Sequence, residues 1–353
     1  MISSNSCIHH FNTVVYTTFL LLALLISAPQ ASQAASKASD GSQQVSREEL
    51  VTLLASETGL PANDLTEIIK DAVYKPDIIE SMNKQWEAQP YAKYRPLFIK
   101  QSMSDKGKAF LKENRSIFAS AEQKYQVESA IIAGILGIET RFGESHGSKP
   151  ILDSLYTLST GFPRRAKFFR SQLAAIIQIS LQDKLKLNEL KGSYAGAFGA
   201  IQFIPTSFRD FAVDNDGDGI RDVFNSKADI IGSVANYFQK HGWQHGRPVA
   251  HWLPPRTKLN KAWKKHIKDS KPKHWVTLAE LRREMPKVFN KIPLPWLEDD
   301  KVSIIEMQTK KGNQLALVHY NFRVIMSYNP SFNYAMAVTE IAAMWESEKF
   351  AVD

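Results

Sequence analysis

Cysteine is almost missing from this chain of 353 residues; the only one is Cys7. A single cysteine makes no intrachain disulfide, so the fold must rest on its apolar core even in an oxidising compartment. Cys7 also stands upstream of the longest apolar run, whereas the lipid-acceptor cysteine of a lipoprotein follows such a run. Long apolar runs are just as scarce. Val14 to Ile26 is the one extended stretch, and it is short for a membrane span. Small residues follow it, and Ser32-Gln33-Ala34 fits a small-x-small cleavage site, so residues 1–35 read as a secretory signal peptide. Lysine and arginine are absent ahead of the run, where only His9 and His10 stand, and a retained N-terminal anchor is the other reading.

Several catalytic signatures are absent as well. There is no G-x-S-x-G, H-E-x-x-H, P-loop or G-x-G-x-x-G pattern, which sets aside the chemistries those motifs carry. No internal repeat is visible. What is present is ordinary globular material, 44% hydrophobic and 23% charged. The formal net charge of +8 is concentrated locally. Arg256, Lys258, Lys261, Lys264, Lys265, Lys268, Lys271 and Lys273 face only Asp269 in the same run. Such a run is either a footprint for a polyanion or a solvated face. Export disfavours nucleic acid and favours acidic wall polymer or anionic lipid.

Helical periodicity dominates. Ser46 reads as an N-cap before Leu50, Leu53 and Leu54. Leu65, Ile68, Ile69 and Val73 continue at helical spacing, and residues 107–133 read as two segments, the second running into an apolar stretch. After Trp243 the texture changes to prolines, tryptophans and short alternating stretches, Val302-Ser-Ile-Ile-Glu-Met and Gln314-Leu-Ala-Leu-Val. The expected organisation is α+β but mainly α. A helical region spans 36–125, a core 126–245, a small inserted β-containing domain 246–320, and a helical return 321–353.

Three segments carry candidate chemistry. Ala130 to Ile138 has no polar side chain, so it should be a helix buried on all faces. Glu139 ends it, with Ile132, Ile135, Leu136 and Phe142 expected around the carboxyl. Desolvation there would favour the neutral form, as a general acid needs. A helix-end glutamate turned to water or paired with Arg141 is the bland alternative. Gly192, Gly196 and Gly199 lie among small and aromatic residues; they allow backbone to approach a ligand, or simply make a tight turn. Gln202 among them is a candidate hydrogen-bonding residue. Lastly, Asp214, Asp216 and Asp218, with Gly219 following, match the start of a calcium loop, which Ile220 by its carbonyl and Asp222 would continue. Asn225 replaces the usual closing glutamate, so Asp229 is the candidate to close the shell around Ca²⁺. An Asx/Gly turn without metal is the alternative.

Together these segments resemble the membrane-bound lytic transglycosylase B family. The matching blocks are IETRFG at 138–143, FPRR at 162–165, GAFGAIQFIP at 196–205, the Asp/Gly loop, GSVANYF at 232–238, and Tyr328-Asn329 ahead of YAMAV at 334–338. The resemblance implies a lysozyme-like catalytic core acting on peptidoglycan glycan strands in the periplasm. It places Glu139 as catalytic acid/base and Ser193, Gln202, Tyr328, Asn329, Tyr334 and Tyr94 along the sugar cleft. It puts Arg164 and Arg165 where peptide-stem carboxylates bind. The implied reaction cleaves the β-1,4 bond between N-acetylmuramic acid and N-acetylglucosamine. The sugar's own C6 hydroxyl replaces water, leaving a 1,6-anhydromuramoyl end. The chain departs from the family at Phe142, where tryptophan is common, at Ala200-Ile201, and in lacking the lipid-acceptor cysteine. A lysozyme-type hydrolase would need a second carboxylate, for which Glu144 and Asp153 are nearest in sequence. A non-catalytic wall-binding protein is the third reading.

Overall fold

The computed structural model describes residues 44–83, 89–183, 185–268 and 272–346. Cys7, the Val14–Ile26 run and Ser32-Gln33-Ala34 lie outside the described residues, as do Asp269 and Lys271. No helix among the described residues is long and apolar enough to cross a membrane.

Ser46 accepts the Glu49 N–H at 3.1 Å and opens α1 (Arg47–Thr58), which Gly59 closes at φ +73°. Next come α2 (Ala62–Ile68), α3 (Pro76–Asn83), α4 (Tyr91–Phe98), α5 (Gln101–Glu113), α6 (Arg115–Tyr125) and α7 (Ser129–Thr140). Two of the expected helices are shorter than the periodicity implies. The second stops at Ile68, and Val73 is exposed, its N–H held by Asp153 Oδ1 at 2.9 Å. The second of the two segments expected over 107–133 does not run on into α7. Gln126 turns left-handed at φ +55°, and Glu128 points inward to accept Trp243 Nε1 and the Gly246 N–H, each at 2.6 Å. A helix continuing through 126–128 could not make that buried pair of bonds.

The middle of the chain supplies β1 (Lys149–Pro150), α8 (Ile151–Gly161), α9 (Ala166–Gln182), β2 (Lys191–Gly192), α10 (Pro205–Phe211) and α11 (Lys227–Lys240). β1 and β2 pair antiparallel. α7 is buried on nearly every face, as its composition requires, and packs against α5, α6, α11 and the C-terminal α16 (Phe332–Ala343). α16 packs closely on Gly134: a Cβ there would stand 3.3 Å from Ile341 Cγ2.

Between them lies a small sheet with short helices: β3 (Ala250–Trp252), α12 (Lys261–His266), β4 (Val276–Thr277), α13 (Leu278–Glu284), α14 (Pro286–Phe289), β5 (Lys301–Thr309) and β6 (Gly312–His319). The strand order is β3-β6-β5-β4, with antiparallel neighbours throughout. β5 and β6 are the two alternating stretches of the sequence. The sheet is a wall between two cores. Ile305, Met307, Ala316 and Val318 join the main core, while Val302, Ile304 and Leu317 join a second one with Trp263, Leu281 and Phe289. The twofold alternation of a strand explains the division, and why both faces are apolar. α15 (Tyr320–Tyr328) then leads back to α16.

A buried charge cluster sits where β6 meets α15. His319, fully buried, places Nε2 3.2 Å from Asp300 Oδ1, which also receives Arg247 Nη2 at 2.5 Å. Its Nδ1 accepts the Asn321 N–H at 3.0 Å, so the ring is neutral with the proton on Nε2. Burial, aided by Arg247 and opposed by Asp300, holds its pKa down at about 4. An unfolded histidine titrates near ~6.5. Between these values the unfolded chain takes up a proton that the folded chain refuses, so stability falls as pH drops through that window. Thermal melts from pH 7 to 4.5 should show wild type losing stability relative to His319→Gln, by at most about 1.4 kcal/mol per pH unit. Parallel pH profiles for the two proteins would contradict the assignment.

Candidate active site

Glu139 lies on the last turn of α7 and is half-buried. The helix ends immediately after it. Arg141, Phe142 and Gly143 take positive φ values of +53°, +65° and +91°. Two non-glycine residues in this region cost on the order of 1 kcal/mol each or more, so the surroundings must hold them there. Phe142 therefore does not sit one helical turn beyond Glu139, as periodicity suggests. Its ring folds back over Gly137, where a Cβ would come within 2.9 Å of it, and its N–H reaches Leu136 O at 3.0 Å.

Tyr334, from the first turn of α16, donates its phenol proton to Glu139 Oε1 at 2.6 Å. Tyr328 lies nearly parallel to it, with centroids 6.5 Å apart, and donates to the Ile201 carbonyl. Phe203, Tyr237 and Phe238 pack around Tyr328. Burial first, and then the charge of Glu139, push both phenols well above the usual tyrosine range, so both remain protonated donors. Tyr94 on α4 is fully buried, with its ring 5.2 Å from Phe98, and is near enough to Tyr334 to act on its ionisation. Asn329 is buried at the end of α15.

The loop after β2 brings the next residues. Ser193 is buried, and its Oγ accepts the N–H groups of Ala195 and Ala197 at 3.2 and 3.0 Å. Gln202, 3% exposed and at φ +49°, donates from Nε2 to Gly199 O at 2.7 Å and His146 O at 3.0 Å. Its Oε1 has no protein partner among the described residues, so a polar acceptor is held in place for another molecule or for water. The glycines do not act as ligand-facing gaps. The room for a Cβ is taken by Ala197 O at Gly192, by Leu155 at Gly196 and by Val223 at Gly199. They let the loop pack on itself and on its neighbours.

Arg164 and Arg165 sit on a 3-10 turn between α8 and α9. Arg164 lies over Phe162 and donates to Asn83 Oδ1 at 2.7 Å; Arg165 lies over Phe168 at 4.1 Å. These contacts tie them to their own corner and do not join them to the Glu139–tyrosine group. Glu144 pairs with Lys106, and Asp153 is engaged by the Val73 N–H.

In the acidic loop, Asp214, Asp216 and Asp229 bring one oxygen each within 4.8 Å of one another. Asp218 instead accepts the Ile220 N–H at 2.8 Å, Asp222 accepts those of Phe224 and Asn225, and the Ile220 side chain is exposed. Asp229 is fully buried; burial raises its pKa, and the neighbouring charge of Asp216 adds to this. None of the three carries a salt bridge among the described residues, so a divalent cation fits as their counter-charge.

Thr140 is a further buried polar residue of the site that the sequence patterns above do not single out. It is 1% exposed, and its Oγ1 donates to Ala200 O at 2.7 Å. A threonine directly after a carboxylate at the end of an apolar helix was the available signal.

Comparison with known proteins places the chain in a family. Residues 43–343 match the family described as Transglycosylase SLT domain. The chain is 31% identical over 305 residues to membrane-bound lytic murein transglycosylase B of Escherichia coli K12, covering 83% of this chain and 81% of that protein. The structure of Escherichia coli lytic transglycosylase Slt35 in complex with calcium has a TM-score of 0.72 at 29% identity, covering 87% of this chain and 96% of that one. SltB3 from Pseudomonas aeruginosa, in complex with NAG-anhNAM-pentapeptide, has a TM-score of 0.73 at 29% identity, covering 85% and 78%. The shared fold is mainly helical and lysozyme-like. Because the match runs from the first described helix to the last, the chain belongs to the transglycosylase SLT family, as a lytic transglycosylase of peptidoglycan.

Proposed function

We propose that Glu139 is the single acid/base of this transglycosylase and that its product is a 1,6-anhydromuramoyl end. The carrying observation is the 2.6 Å bond from Tyr334 to Glu139 Oε1, which fixes one carboxyl orientation at the end of a buried helix. The two carboxylates nearest in sequence are engaged elsewhere, which favours a one-carboxylate reaction over a lysozyme-type hydrolysis. Glu139 protonates the glycosidic oxygen as the bond to muramic acid breaks. The acetamido group of muramic acid stabilises the positive charge. Glu139 then takes the proton of the C6 hydroxyl as that oxygen closes on C1. An intramolecular nucleophile held in place lowers the barrier by up to roughly 7–11 kcal/mol. SltB3, with its NAG-anhNAM-pentapeptide, supports the same product class here. Ser193, Gln202, Tyr328 and Asn329 form the sugar-binding wall in this reading, the buried Tyr94 supports it beside Tyr334, and Arg164 and Arg165 meet peptide stems. Mass analysis of digested sacculi is the test: products one water lighter than hydrolytic muropeptides are expected, and reducing muramic acid ends would contradict the proposal.

Asp214, Asp216 and Asp229 would hold Ca²⁺ with a structural role, as the calcium complex of Slt35 supports. Binding only to the folded state would add about 2.7 kcal/mol at a hundredfold excess over Kd. Millimolar Ca²⁺ should raise the melting temperature and EDTA should lower it; no change with either would remove the site. The apolar run and cleavage site support export to the periplasm. The exposed lysines around α12 support weak association with anionic wall or membrane surfaces.

A further inference from the structure

We infer that Thr140 is a positioning residue for Glu139, closing a ring of contacts around the carboxylate; the inference rests on Glu139 being the acid/base group. The ring runs through six residues. Glu139 accepts from Tyr334, Tyr334 stacks on Tyr328, and Tyr328 donates to Ile201 O. Ile201 follows Ala200, whose carbonyl accepts from Thr140 Oγ1 at 2.7 Å, and Thr140 is bonded to Glu139. Two successive carbonyls of one loop are thus held, Ala200 O by the residue bonded to Glu139 and Ile201 O by Tyr328. The loop itself cannot drift, because the Ala200 N–H is held by Val223 O at 2.8 Å.

The hydroxyl accounts for this role better than a local helix contact does. Thr140 Oγ1 is 3.5 Å from Leu136 O, the usual back-bonding partner, but 2.7 Å from Ala200 O, so its proton goes across the site. The same oxygen accepts the Gly143 N–H at 3.0 Å, which helps hold the left-handed turn that ends the helix. A valine would fill the same buried volume without the cost of burying a hydroxyl, so volume alone does not call for threonine. Removing the hydroxyl frees the Ala200 carbonyl and the Gly143 N–H together. The turn that carries Glu139 then loses its link to the Ala200–Ile201 loop, while the bond from Tyr334 remains.

The test compares Thr140→Val and Thr140→Ser with wild type and Glu139→Gln, on soluble glycan strands, below the melting temperature of each. Thr140→Val should lower kcat roughly tenfold or more with KM within about threefold, because a misplacement near 1 Å costs up to about a hundredfold. Thr140→Ser should recover kcat to within about threefold. Full kcat in Thr140→Val, a rise in KM alone, or failure of serine to rescue would overturn the inference. If Thr140→Val does not fold, Thr140→Ala, which leaves room for water, replaces it in the same comparison. An active Glu139→Gln would defeat the underlying assignment instead; an inactive Glu139→Gln beside a fully active Thr140→Val would defeat only the positioning role.

Discussion

Glu139→Gln is expected to release no 1,6-anhydromuropeptides from sacculi while folding as wild type does. The amide carbonyl accepts the Tyr334 phenol proton just as Oε1 does at 2.6 Å, so the ring of contacts around the position is retained. What the substitution removes is the transferable proton. General acid–base catalysis typically contributes about 10²–10⁴-fold. One residue serves both the protonation of the leaving oxygen and the deprotonation of the C6 hydroxyl, so the loss should reach the upper end. Stability should hold, since α7 is buried on nearly every face and an amide is less costly to desolvate than a carboxylate. Near-normal activity in a folded Glu139→Gln protein would dismiss Glu139 from the reaction. Wild-type protein that binds sacculi yet makes no product would point to a wall-binding role.

What could be read from the chain alone was whatever is local and periodic. Nine residues without a polar side chain can only be buried, and α7 is. Val302 to Met307 and Gln314 to Val318 alternate because each strand divides its side chains between two cores, and that period survives without knowledge of either core. The carboxylate–tyrosine group is a different matter. Tyr334 lies 195 positions from Glu139, and nothing in its local sequence marks it. It entered, like Tyr94 and Tyr328, only through the family resemblance. Helical spacing extended past Thr140 predicts Phe142 beside the Glu139 carboxyl, whereas the helix ends at Thr140 and the ring lies over Gly137. Gly143 is the only residue there that advertises a turn, whereas Arg141 and Phe142 take left-handed angles under tertiary constraint. Oxygen spacing in the acidic loop pointed to Asp214, Asp216 and Asp218. The fold gathers Asp229 with the first two, because Ser226 caps α11 and aims its first turn at the loop.

Gly192→Ala should destabilise the protein by about 3 kcal/mol, a packing effect where glycine spacing alone allows a ligand-facing role. Gly192 has an ordinary φ, so no backbone strain arises, and the whole effect is steric. A Cβ would run into Ala197 O and stand 2.6 Å from Ile151 Cδ1. Ala197 O cannot simply retreat, because it accepts the Ser193 N–H at 2.8 Å and the Ala197 N–H is in turn held by Ser193 Oγ. Pushing it away breaks the turn that carries Ser193 and disturbs the pairing of Gly192 with Lys149. Overpacking of this kind costs about 1–3 kcal/mol, and a backbone carbonyl with no room to move puts this case at the top of that range. At roughly 2 °C per kcal/mol for a chain of this size, the melting temperature should fall by about 6 °C. A glycine that existed for close approach of a glycan would behave differently. Its alanine variant would melt as wild type does and show its loss in KM alone, and that result would put Gly192 itself, beside Ser193 and Gln202, on the binding surface.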